Sequence, residues 1–99
     1  MREEIKYSEE LDVRNLLKET SPPYIYAIDK NCPVYHLGYF TWGAHEKWIW
    51  IDEELNKADD LTLWKVYALI QQNWGAMYKS ISEKCEKKLD ALGIEWYRD

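Results

Sequence analysis

The chain is poor in the residues that break or staple a fold. It has four glycines, three prolines and two cysteines in 99 residues. So few glycines and prolines exclude a low-complexity or collagen-like chain. Two cysteines, Cys32 and Cys85, cannot build a disulfide scaffold, and they read as free thiols packed as small hydrophobes. Apolar runs are short, and none approaches the roughly 20 residues of a membrane span. The opening MREEIKYSEELD lacks the apolar segment of a signal peptide, so the expected location is cytoplasmic, away from a membrane. Basic charge is in deficit: 13 Lys and Arg stand against 18 Asp and Glu, a net charge of −5. Direct binding to nucleic acid needs clustered Lys and Arg, and the balance argues against it.

Motifs are missing as well. There is no phosphate-binding glycine loop, no G-x-S-x-G and no H-E-x-x-H. Cys32, His36, His45 and Cys85 are metal-ligand types, but their spacing matches no zinc pattern. No catalytic residue, metal ligand or cofactor is assigned. An enzyme or metal protein using His36, His45 and a cysteine ranks third among the functional readings.

Tryptophan and tyrosine are abundant, six and eight residues respectively. Hydrophobic content of 46% beside 31% charged residues suits a single globular domain over 1–99, with residues 1–7 expected to fray. Ser8 is a candidate cap for an N-terminal helix with apolar positions Leu11, Val13, Leu16 and Leu17, which Pro22-Pro23 ends. Three strands are predicted next. The first covers 24–28 and ends in Asp29-Lys30-Asn31 turn chemistry. The second covers 34–41 and the third 47–51, joined by a hairpin loop at 42–46 that contains Gly43.

Pairing Thr41 with Lys47 puts Tyr39 opposite Ile49 and Gly38 opposite Trp50. The side with Tyr35, Leu37, Tyr39 and Ile49 reads as the core face. The other side carries His36, Phe40, Trp48 and Trp50, with the Trp50 ring expected over the bare Gly38. After a helical turn at 52–55, either Asp59 or Asp60 can cap a long C-terminal helix. Its stripe is Leu63, Val66, Ile70, Trp74, Met77, Ile81, Cys85, Leu89 and Leu92. Gly75 is where that helix is expected to bend or break, and Gly93 fits a left-handed C-terminal cap with Ile94 reaching back to Leu89. The fold class is therefore α+β: an N-terminal helix, a three-stranded antiparallel sheet and a long C-terminal helix.

A ribbon apolar on both sides leads to the functional reading. The expectation is a small, acidic, tryptophan-rich protein-binding module that acts by occupying a partner's surface. One form is an inhibitor of a basic, nucleic-acid-handling protein. The expected contact combines Phe40, Trp48 and Trp50 with the acids Asp52, Glu53, Glu54, Asp59 and Asp60. The plain counter-reading is a second small core beside helix-capping aspartates. The alternative function is a small-ligand domain whose Trp and Tyr rings wall a pocket. The helical stripe also allows a homodimer, although its period lies nearer 3.6 than a coiled coil's 3.5.

Overall fold

The computed structural model describes residues 11–73 and 82–96. It is α+β, with five α-helices, one 3₁₀ turn and one two-stranded antiparallel sheet among the described residues. The expectations for residues 1–7, for Ser8 and for Trp74, Gly75, Met77 and Ile81 lie outside that range.

Helix α1 is Val13–Lys18, and Asp12 caps it by accepting the Arg14 N–H. It ends before the prolines, as expected: the Thr20 N–H and hydroxyl both return to the Leu17 carbonyl. The segment Tyr24–Ile28, predicted as a strand, is instead helix α2. Pro23 sits at its N-cap, and its carbonyl accepts the N–H groups of Tyr26 and Ala27. Ala27 faces the core while Tyr24, Ile25 and Ile28 face out, so packing of one small residue overrides the β-propensity of its neighbours. The Asp29 turn is present: its carboxylate accepts the Asn31 N–H, and its carbonyl the Cys32 N–H.

The second predicted strand is half right. Pro33–Leu37 is a 3₁₀ turn, started by proline at its first position. Only Gly38–Thr41 extends, as β1, and it pairs with β2, Lys47–Trp50. The register is the expected one, Gly38 with Trp50, Tyr39 with Ile49, Phe40 with Trp48 and Thr41 with Lys47.

Within the two strands the faces are reversed, whereas Leu37 of the 3₁₀ turn is buried as expected and His36 faces solvent. Trp48 is buried at 7% exposure, and Phe40 and Trp50 pack on the core, while Tyr39 is 52% exposed. Alternation survives because side chains switch sides at each residue. The larger rings take the inner side because they remove more apolar area from water. The ring over Gly38 also differs. Trp48, the diagonal neighbour, lies there, with its Cζ2 2.6 Å from where a Cβ would sit.

Helix α3, Asp52–Lys57, extends the expected turn, and α4 is Asp60–Asn73. Asp59 is the cap: its carboxylate accepts the Thr62 N–H at 2.8 Å and its carbonyl the Leu63 N–H. Leu63, Val66 and Ile70 are buried on the predicted stripe, with Trp64 and Tyr67 beside them. The chain does not continue as one helix to Leu92. Ser82 has extended ψ and caps a separate helix α5, Glu83–Ala91, by accepting the Cys85 N–H. Cys85 and Leu89 carry the stripe onward into the same core. The end is the expected Schellman closure. Gly93 has φ 72, Ile94 N–H bonds to the Leu89 carbonyl and Gly93 N–H to that of Asp90.

Candidate functional site

Four residues decide what the hairpin presents to solvent. The Thr41 hydroxyl accepts the Lys47 N–H and lies within hydrogen-bond reach of the His45 and Lys47 carbonyls. Gly43 takes φ 119, which a residue with a Cβ avoids. That closure leaves Trp42 at the tip, 62% exposed. Its ring is not isolated. It meets Phe40 at 4.9 Å and Tyr24 of α2 at 5.3 Å, and Tyr24 meets Phe40 at 5.8 Å, all edge to face.

Beside this triad is a groove of about 420 Å³. One wall is Ala27 and Ile28 of α2 with Tyr35 of the 3₁₀ turn, and the other is Gly38, Tyr39, Phe40 and Trp42. Three consecutive strand residues line it. A face of a strand shows alternate residues, so the groove runs along the outer edge of β1. None of its lining side chains is an acid or a base other than tyrosine.

The residues expected to touch a partner are distributed differently. Phe40 is half-buried and borders the groove. Trp48 is sealed in the core, edge to face with Trp50 at 5.5 Å, and its indole N–H has no hydrogen-bond partner. Trp50 is half-buried and donates to the Thr20 carbonyl at 3.0 Å, which ties β2 to the segment after α1. The second-core reading therefore holds for these two indoles. Tyr24, Tyr39 and Trp42 are the exposed rings in their place. Trp42 carried a legible signal, since a side chain beside a hairpin glycine is at a loop tip.

Four of the five acids are exposed and Glu54 is half-buried, and each has an intramolecular role. Asp52 pairs with Lys18 of α1 at 3.2 Å, and Lys57 bridges Glu53 and Glu54 at 3.5 and 3.6 Å. Asp59 caps α4, and its bonds from Thr62 hold its carboxyl below the usual range. Asp60 pairs with Arg14 at 2.8 Å. Arg14 does more than neutralise. Its Nε and Nη2 donate to the Leu55 and Ala58 carbonyls, so one guanidinium closes the end of α3 and joins it to α1 and α4. Asp52, Glu53 and Glu54 lie in the first turn of α3, where the helix dipole also favours them. This charged corner is built from α1, α3 and the start of α4. The groove is built from α2 and β1.

No family model matches the chain, and no curated protein or solved structure matches it either. The geometry carries the functional argument.

For the third reading, Cys32 and Cys85 are buried free thiols, and His36 and His45 are exposed. Among the described residues no three His, Cys, Asp or Glu side chains gather in a metal-binding group. Burial and the neighbouring Cys85 push the Tyr67 phenol up to about 12, with a smaller effect from Glu19. That pair lies between α4 and α5 inside the core. No helix among the described residues is long and apolar enough to cross a membrane.

Proposed function

We propose that the chain is a protein-binding module whose contact surface is the aromatic edge formed by Tyr24, Tyr39, Phe40 and Trp42. The observation that carries this reading is the exposure of Trp42 beside an uncharged groove. Trp and Tyr contribute most to interfaces because they bury large area while ordering only two torsions. Holding Trp42 between Gly43 and two other rings lowers the cost of ordering it further. The acids from Asp52 to Asp60 add long-range attraction for a basic partner, and an inhibitor of a nucleic-acid-handling protein is one form this module would take.

Affinity capture with wild type and Trp42→Ala tests the reading. Capture of a defined partner should fall at least tenfold in the variant while its thermal melt stays near wild type. Equal capture by both removes the aromatic edge from the contact. Reversing Asp59 and Asp60 tests the charge component: the association rate should drop and lose part of its salt dependence.

The groove supports a second reading, a small-ligand site. Its volume lies within the roughly 300–1,000 Å³ of ligand pockets, and four aromatic residues line it. A saturable change in tryptophan fluorescence with a metabolite panel, absent in Tyr39→Ala, would favour it.

A further inference from the structure

From the same edge we infer how the partner binds: as an extended peptide that adds a third strand alongside β1. The inference rests on the protein-binding reading above. The Ile51 N–H bonds to the Leu37 carbonyl, so Leu37 and Ile51 form a hydrogen-bonded pair of the ladder. Alternation makes Tyr39–Ile49 and Thr41–Lys47 the next such pairs. The Gly38 carbonyl and both backbone groups of Phe40 then point away from β2, toward the groove. Among the described residues no further backbone hydrogen bond reaches them.

An edge of this kind accepts one chemistry, a backbone presenting donors and acceptors at the spacing of a strand. Sheet proteins blunt such edges with lysine or proline. Here Lys47 lies on β2, and β1 carries neither. Charge complementarity selects the segment further. The lining holds no carboxylate, ammonium or guanidinium, so the inserted residues are uncharged. Alternate side chains of the peptide face the Ile28 and Tyr39 walls, and the strand's end meets Trp42.

The probe is a phage-displayed library of random ten-residue peptides, with selected sequences synthesised and N-methylated one residue at a time. Three results are expected. Binding falls about threefold to tenfold on methylation at alternate positions and holds at those between. The Phe40 amide exchanges with solvent at least tenfold more slowly in the complex. Trp42→Ala abolishes binding. If Trp42-dependent peptides are found but the methylation scan is flat and Phe40 exchange is unchanged, strand addition is wrong and the binding surface survives. If no Trp42-dependent peptide is found, both fall. Protection of Phe40 that rises with protein concentration and no peptide would overturn the proposal in favour of a second copy of the chain.

Discussion

Gly38→Ala asks whether the inner face of the hairpin is packed as described. The backbone there is extended, with φ −178 and ψ −163, which any residue adopts. Strain in φ therefore plays no part. Space does: an added methyl would meet the Ile49 carbonyl oxygen and lie 2.6 and 2.7 Å from Trp48 Cζ2 and Cε2. Overpacking a dense core costs about 1–3 kcal/mol. Alanine also removes freedom from the unfolded chain, which returns about 0.4–1 kcal/mol. The net lies between about zero and a loss of about 2.6 kcal/mol. One obstacle is backbone held in the ladder, so the upper half of that range is expected, near 2 kcal/mol. At about 4–8 °C per kcal/mol for a domain of this size, melting should fall by roughly 8–16 °C. Urea unfolding followed by circular dichroism measures it, with an unchanged m-value showing that the end states are the same. Combining Gly38→Ala with Trp48→Phe should be non-additive, since the smaller ring yields part of the space. A variant as stable as wild type, or more stable, would refute this account of why residue 38 has no side chain.

Trp48→Ala empties a buried site and should cost about 3–5 kcal/mol, whereas Trp42→Ala should cost under about 1.5 kcal/mol, and thermal melts of both variants test the contrast. Arg14→Lys replaces a fork that holds two carbonyls and a carboxylate with a single ammonium, and chemical denaturation should show a loss of about 1–3 kcal/mol. The Tyr67 phenol is raised from 10.0 to about 12, so its contribution is complete below pH 10 and is lost as pH rises toward 12. Alkaline titration of Tyr67→Phe should show a shallower loss of stability across that window than wild type. Asp59 has the opposite sign. Its depressed carboxyl stabilises above the ordinary range near 3.8, and the benefit disappears as pH falls through its lower folded value. Asp59→Ala should therefore differ from wild type at neutral pH and converge with it in strong acid.

Local chemistry was legible where one or two residues decide the backbone. Gly93 after Leu92, Asp59 before a helical stripe, Asp29-Lys30-Asn31 and the hairpin around Gly43 all took the conformations their side chains favour. The hairpin register followed from the same reasoning, as did the buried stripe through Leu63, Val66, Ile70, Cys85 and Leu89. Tyr24–Ile28 was not legible, because four β-favouring residues around Ala27 form one turn of helix once Pro23 starts it and Ala27 has a core to face. Ser82 was also missed, since a serine inside an unbroken apolar period gives no sign that its ψ will be extended.

The amino-acid order by itself determined the Asp29 turn, the caps at Asp59 and Gly93 and the alternation of the ribbon, because each depends on forces within a few residues. Which side of that ribbon meets water was decided only by the tertiary structure. Both faces are apolar, and the choice depends on which rings reach the neighbouring helices. The core received Trp48 and much of Trp50, and solvent received Tyr39 and Trp42. The candidate contact surface lies at the β1 edge for the same reason: α2 is a helix, so among the described residues the sheet keeps two strands and the outer edge of β1 lies beside a groove.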